Sequence, residues 1–181
     1  MARLISSRGR HAENGFTLVE LMIVVAVIAV LAVVVVPMFT GEAKKVKAKS
    51  EVTAMIAELG TKQERFKNEN NVYRAVAACP VTPSSQSQSI ASCRSGADWL
   101  ALGVQSPEGE LRCSYAVVVG TSAEDPGTMV PTGATYTVPT GCCATSWYMI
   151  HAKCDMDGNG TFSHYISASF DQTMQVTNEG Q

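Results

Sequence analysis

Between Leu21 and Val36 the chain has no polar residue: sixteen consecutive positions are apolar. It is also poor in charge elsewhere, with 17% charged residues and 7% aromatics over 181 positions. Beyond residue 71 the only basic residues are Arg74, Arg94, Arg112 and Lys153, against nine acids. That balance argues against nucleic acid as the main partner, since binding to phosphate backbones rests on clustered cations. There is no Gly-rich phosphate loop, no G-x-S-x-G elbow and no convincing histidine with an adjacent nucleophile, so catalysis finds no foothold. No two cysteines have C-x-x-C spacing, which removes the usual zinc pair. No cysteine precedes Cys79, and no internal repeat is present. These absences together predict a non-enzyme without an obligatory cofactor.

What is present begins at Gly15-Phe16-Thr17-Leu18-Val19-Glu20-Leu21, which opens the apolar run. As a helix, Phe16 to Met38 spans roughly 35 Å at about 1.5 Å per residue. This is enough to cross a hydrocarbon core of about 30 Å. Backbone polar groups in lipid must pair within the segment, so a helix is the expected solution although the run is rich in valine. Glu20 is the one acid in this stretch. A carboxylate so close to hydrocarbon is costly and marks a functional candidate. Arg3, Arg8 and Arg10, with the small Gly15 and the Phe16 after it, suggest a cleaved leader. A secretory signal fits poorly, because the run is too long and the cleavage motif comes before it. An ordinary signal anchor with Glu20 near the interface is the plain alternative. It leaves the spacing of Gly15, Phe16 and Glu20 without an explanation.

This pattern resembles the N-terminus of prepilins, the precursors of type IV pilins and of type II secretion pseudopilins. The resemblance implies cleavage after Gly15 by a prepilin peptidase and N-methylation of the new terminus, Phe16. It makes Glu20 the family's acid at the fifth mature position, and Pro37 the proline that commonly interrupts the helix. The close match runs from Met1 to about Phe39, and a looser one to about Tyr73. Cleavage would leave a charged amine on Phe16, with Glu20 offering the opposite charge. In a low-dielectric bundle such a pair is strongly oriented, whereas an unpaired charge is heavily penalised. Glu20 would thus select a neighbouring subunit through its Phe16 amine and set the stagger of a filament. Three segments are expected: a leader over residues 1–15, a transmembrane and filament-core helix over 16–39, and a head over 40–181.

Positive-inside counting is ambiguous, because Arg3, Arg8 and Arg10 face Lys44, Lys45, Lys47 and Lys49 across the span. The resemblance and the cysteines put the leader in the cytoplasm, the helix in the inner membrane and the head outside. Removing the leader, with its three Arg and one Glu, takes the formal net charge from −2 to −4. The lysine cluster would contact phospholipid headgroups, acids on neighbouring subunits or simply water.

Six cysteines lie beyond the span: Cys79, Cys93, Cys113, Cys142, Cys143 and Cys154. An even count in an exported domain reads as disulfides. Cys79 with Cys93 would close a Ser-, Pro- and Gln-rich loop, worth about 3 kcal/mol in the chain-entropy model. Cys113 and Cys154 fall on expected strands and would bridge to each other or to the Cys142-Cys143 pair. A bridge between neighbours is strained, so Cys142 and Cys143 are expected to have different partners.

After Pro37 and Gly41, the expected bend or melt point, the pattern turns amphipathic. Val52, Met55, Ile56, Leu59 and Phe66 recur at helical spacing. One long helix is expected from Phe16 to about Asn70, with its second half half-buried. Asp98 to Gly103 reads as a short helical turn. The period then changes to two over Leu111, Cys113, Tyr115, Val117 and Val119. Further strands are expected over 147–154 and 161–170, with a short one at 134–138. The sum is an α+β, pilin-like fold: a long N-terminal helix, transmembrane in its first half, packed on a small antiparallel sheet.

Asp155, Asp157 and Asn159 match the start of an EF-hand loop. The twelfth position is Ile166 where a Glu is needed, and no helices flank the loop. Two readings remain, a tight hairpin and a calcium site in a surface loop. His151 and His164 would lie across that hairpin if its loop has six residues; a register slip of one would separate them. A two-histidine metal site would need further ligands. Asn159-Gly160-Thr161 fits a glycosylation acceptor, which reads as chance here.

The expected function is that of a structural subunit of a type IV pilus, serving adhesion or surface motility. The implied partners are copies of itself, a prepilin peptidase and methylase, the pilus assembly machinery and the inner membrane. A minor pilin, a type II secretion pseudopilin, or a membrane-anchored module binding DNA or calcium are the alternatives.

Overall fold

The computed structural model describes residues 16–106 and 109–180. The expected leader and Gly15 lie outside the described residues. The chain divides into two compact units between Phe39 and Thr40.

In the first unit, helix α1 (Leu18–Asn70) begins. Its residues Leu18–Val36 have a mean hydropathy of 3.2, and none is buried by the chain itself. The helix is long and apolar enough to cross a membrane. The expected melt at Pro37 and Gly41 is not found: α1 stays helical through both. An interior proline costs about 3 kcal/mol through its missing amide and its ring's clash with the preceding turn, and the remaining backbone bonds of the 53-residue helix hold the segment helical.

In the second unit the remainder of α1 lies on an antiparallel sheet. The elements that follow are β1 (Val76–Cys79), β2 (Gln88–Ser89), α2 (Ala91–Arg94), α3 (Ala97–Leu102), β3 (Glu110–Leu111) and β4 (Ser114–Gly120). A 3₁₀ turn (Pro126–Met129) leads to β5 (Trp147–Cys154), β6 (Ser163–Ala168) and β7 (Asp171–Thr177). Five strands form one sheet in the order β1-β4-β5-β6-β7, and β2 pairs with β3 separately. The head is therefore α+β and pilin-like, with a helix on a small antiparallel sheet.

The helical stripe packs as its spacing dictates. Ala48, Val52, Met55 and Leu59 are fully buried, and Ile56 and Phe66 are partly so. They meet Tyr115, Val117, Tyr148, Ile150, Ala152 and Tyr165 from one face of the sheet. Two polar residues on α1 fasten this layer. Gln63 is wholly buried; its Nε2 donates to the Arg74 carbonyl at 2.5 Å, and its Oε1 accepts from the Arg74 amide at 2.9 Å. Glu51 accepts from the amides of Arg112 and Cys113 and from the Tyr115 hydroxyl at 2.9–3.1 Å. The Arg112 guanidinium stands 3.8 Å away. Burial, with the Glu51 carboxylate beside it, pushes the Tyr115 phenol far up. Asn71 ends α1 in the left-handed region, at φ 61°, as a helix terminus favours.

The sheet is covered on its other face too. Trp147, Met149, Ile166 and Ala168 form a second core with Tyr136, Met129, Val130, Val138 and Phe170. The residues bringing that cover lie between β4 and β5. Residues 134–138 do not form the expected strand. They run beside β7 through its side chains: the Thr135 and Thr137 amides donate to Thr177 Oγ1 and Gln175 Oε1, each at 2.9 Å. With both faces covered, β6 is buried along its whole length.

Gly120 shows how tightly the second core is closed. A Cβ there would overlap the indole ring of Trp147. That ring is held, since Trp147 Nε1 donates to the Thr121 carbonyl at 3.0 Å. Gly120→Ala is expected to destabilise the head by about 1–3 kcal/mol, read by urea denaturation of the full chain in detergent micelles. An unchanged midpoint would contradict this packing.

Candidate functional site

The N-terminal segment is built around the start of α1. Thr17 precedes the helix, and its Oγ1 accepts from the Glu20 amide at 3.2 Å. The Thr17 carbonyl takes the Leu21 amide, also at 3.2 Å. Thr17-Leu18-Val19-Glu20 thus has the sequence of a capping box, and the threonine half of it is formed. Capping matters most where no water is available for the helix's first amides. Glu20 stands in the first turn, where the helix dipole favours an anion. Sequence reasoning singled out Glu20 and missed Thr17; the S/T-x-x-E spacing was the available signal. Phe16 is 78% exposed, and the apolar side chains of Leu18 to Val36 are exposed with it. Neither the cleavage at Gly15 nor the part of Pro37 in assembly is visible in this geometry.

The cysteines are all paired. Cys79 joins Cys93, with Cα atoms 5.7 Å apart, and fastens the end of β1 to α2. Cys113 joins Cys154 with Cα atoms 4.4 Å apart, both fully buried. Cys142 and Cys143 bridge each other, contrary to the expectation of different partners. Two facts of the fold account for this. The strand cysteines are already joined, leaving no third thiol. The backbone also turns at Gly141 and Cys143, at φ 77° and 72°, so that adjacent sulfurs meet.

The acidic turn joins β5 to β6 as an eight-residue connection, Asp155 to Phe162. Asp155 accepts the amides of Gly158 and Gly160 at 2.8 and 3.2 Å. Asp157 accepts the Asn159 amide at 3.1 Å and its side-chain Nδ2 at 2.7 Å. Asn159 Oδ1 takes the Thr161 amide at 2.6 Å. The side-chain oxygens are thus occupied in shaping the turn, with Gly158 and Gly160 at positive φ. Among the described residues no group of three or more His, Cys, Asp or Glu is placed to hold a metal. The calcium reading gains no support from this arrangement.

The two histidines do meet, by a different register from the expected one. Lys153, not His151, lies opposite His164, and His151 lies opposite Ile166. The longer loop moves the pair to diagonal positions on the same face. Their rings stack with centroids 5.2 Å apart, and His151 Nε2 lies 2.9 Å from His164 Nδ1. One ring must donate and the other accept. Gly133 closes over them from the loop: a Cβ there would sit 3.2 Å from His164 Nε2. Burial, then His164 and Lys153, push His151 down to about 4, and burial and Lys153 lower His164.

Residues 10–36 match the family model of the prokaryotic N-terminal methylation motif, the signature of type IV pilins and prepilins. No curated protein matches the chain. No solved structure matches it. The motif, the exposed apolar helix and the disulfide-bonded α+β head support a pilin-like or pseudopilin protein. That class is structural rather than enzymatic, and the motif and the apolar helix fit anchoring in a membrane followed by pilus assembly.

The histidine pair gives the head a defined pH response. His151 is held neutral when folded and takes a proton near pH 6.5 when unfolded. The unfolded chain therefore binds more protons below that value. Stability from His151 is complete above about pH 6.5 and is lost as the pH falls towards about 4, by about 1.4 kcal/mol per unit. His164 acts with the same sign. Urea midpoints of the full chain in micelles from pH 7.5 to 4 should fall, and His151→Phe should flatten the slope. A slope unchanged in that variant would contradict the assignment.

Proposed function

We propose that this chain is a structural subunit of a type IV pilus filament, trimmed after Gly15, methylated on Phe16 and polymerised from the inner membrane to the cell surface. The observation that carries the reading is the pairing of the methylation motif at residues 10–36 with an apolar helix that its own chain leaves uncovered. A helix of that kind is stable in two places, lipid and a bundle of like helices. Hydrophobicity does not distinguish them, so packing and polar pairs decide assembly. Residues 16–39 would form the filament core, and residues 40–181 the outer head, serving adhesion or surface motility. The Glu20 carboxylate would take the methylated Phe16 amine of a neighbouring subunit and fix the stagger between copies. Pro37 would mark the joint between the core segment and the head. The remaining partners are a prepilin peptidase and methylase and the assembly machinery.

The motif is shared by type II secretion pseudopilins, which is the second reading. Three disulfides among the described residues and a large head are unusual for a pseudopilin core subunit, and favour the pilus.

Glu20→Ala should leave membrane insertion unchanged, because it removes the only charge in the span. It should lower the chain's amount in sheared surface filaments at least about tenfold, the effect of a pair worth about 1.4 kcal/mol or more in low dielectric. Immunoblots of membrane and sheared fractions measure both. Filaments of normal abundance would sink the pairing.

A further inference from the structure

Two of the three disulfides fasten distant parts of the chain. Cys79–Cys93 closes 14 residues and Cys113–Cys154 closes 41. Cys142–Cys143 closes none, since its sequence separation is 1. Disulfide stabilisation in the chain-entropy model grows with the loop closed, so this bridge restrains almost nothing that the peptide bond does not already hold. Its position is also different. Cys79, Cys113 and Cys154 are 0–1% exposed and Cys93 is half-buried, so among the bridges only Cys142–Cys143 has both of its cysteines half-buried at the surface. They line an open depression of about 300 Å³ with Glu124, Asp125, Val138 and Pro139. Cys143 is a non-glycine residue in the left-handed region, a conformation that persists only when something imposes it. Exposed bridges that close no loop are the ones open to exchange.

We propose that the Cys142–Cys143 bridge is a thiol-exchange site, selective for neutral or cationic small thiols over anionic ones. Glu124 and Asp125 supply the selection. The Glu124 carboxylate is fixed by the Thr121 amide and hydroxyl at 2.7 and 3.0 Å, and Asp125 by the Gly127 amide at 2.8 Å. No Lys or Arg lines the depression. These two fixed anions repel a thiol that carries a negative tail and attract one that carries an amine. Cys143 packs against the second core, so attack falls on Cys142. The incoming thiolate forms a bond to Cys142 Sγ as the Cys142–Cys143 bond breaks. The electron pair leaves on Cys143, which takes a proton from water. A second thiol then expels the first as a symmetrical disulfide, leaving the reduced Cys142 and Cys143 pair.

The test uses the full chain in detergent micelles, treated with cysteamine or with 2-mercaptoethanesulfonate, alkylated and mapped by mass spectrometry. Cysteamine should appear on Cys142 about tenfold or more faster than on Cys79, Cys93, Cys113 or Cys154. Its advantage over the sulfonate should shrink severalfold in high salt and in Glu124→Gln. Equal reaction across the three bridges, or an advantage indifferent to salt and to Glu124→Gln, would overturn the proposal. A cysteine-to-cysteine link between two copies at these positions would do the same. The double variant Cys142→Ser with Cys143→Ser should keep the thermal midpoint, while Cys79→Ser lowers it. Equal losses would make the bridge structural instead.

Discussion

An apolar helix that its own chain leaves bare constrains the rest of this protein. From Leu18 to Val36 every residue is exposed within the chain, and the segment cannot be left in water. Its backbone is satisfied by the helix, and the Glu20 amide by the Thr17 hydroxyl. Its side chains need lipid or other helices. On the proposed function, two successive environments would explain why a single acid stands at Glu20. In lipid a carboxylate is a cost, and in the proposed bundle it would become a gain once an amine lay alongside.

The head meets the opposite demand, that of standing alone. The second half of α1 covers one face of the sheet, and the segment between β4 and β5 covers the other. Polar groups lock both covers. Glu51 and Gln63 hold α1 to the strands and their approaches, while Gln175 and Thr177 hold the loop to β7. Cys113–Cys154 pins the sheet from within. The histidine pair sits beneath the loop at Gly133, so acid is expected to weaken the head where its second cover is fastened.

Much of this was legible in the residues. The long helix, the Val52–Met55–Leu59 stripe and the strand at 147–154 follow from periodicity; the strand expected over 111–119 is split, with Leu111 on β3, Cys113 between strands and β4 starting at Ser114, and the one expected over 161–170 is shorter, Ser163–Ala168. Cys79–Cys93 followed from the need to order a poor loop. β1 and β2 were missed because they are four and two residues long, too short to show a period. β7 was missed because Asp171-Gln172-Thr173-Met174-Gln175 reads as polar; its outward side chains serve the loop rather than water. Residues 134–138 looked like a strand since they are held like one, by side chains in place of a backbone ladder. The Cys142–Cys143 bridge was rejected on strain, and positive φ at Gly141 and Cys143, which no pattern announces, is what permits it. At the N-terminus the motif named Phe16 and Glu20, whereas Thr17 needed the capping geometry.

The measurement that bears most directly on the account is the mass of the N-terminal peptide of this chain in filaments sheared from the cell surface. The account predicts that it begins at Phe16, carries a methyl group on the amine, and comes from an abundant filament component. An intact leader, or a processed chain missing from the filaments, would contradict it.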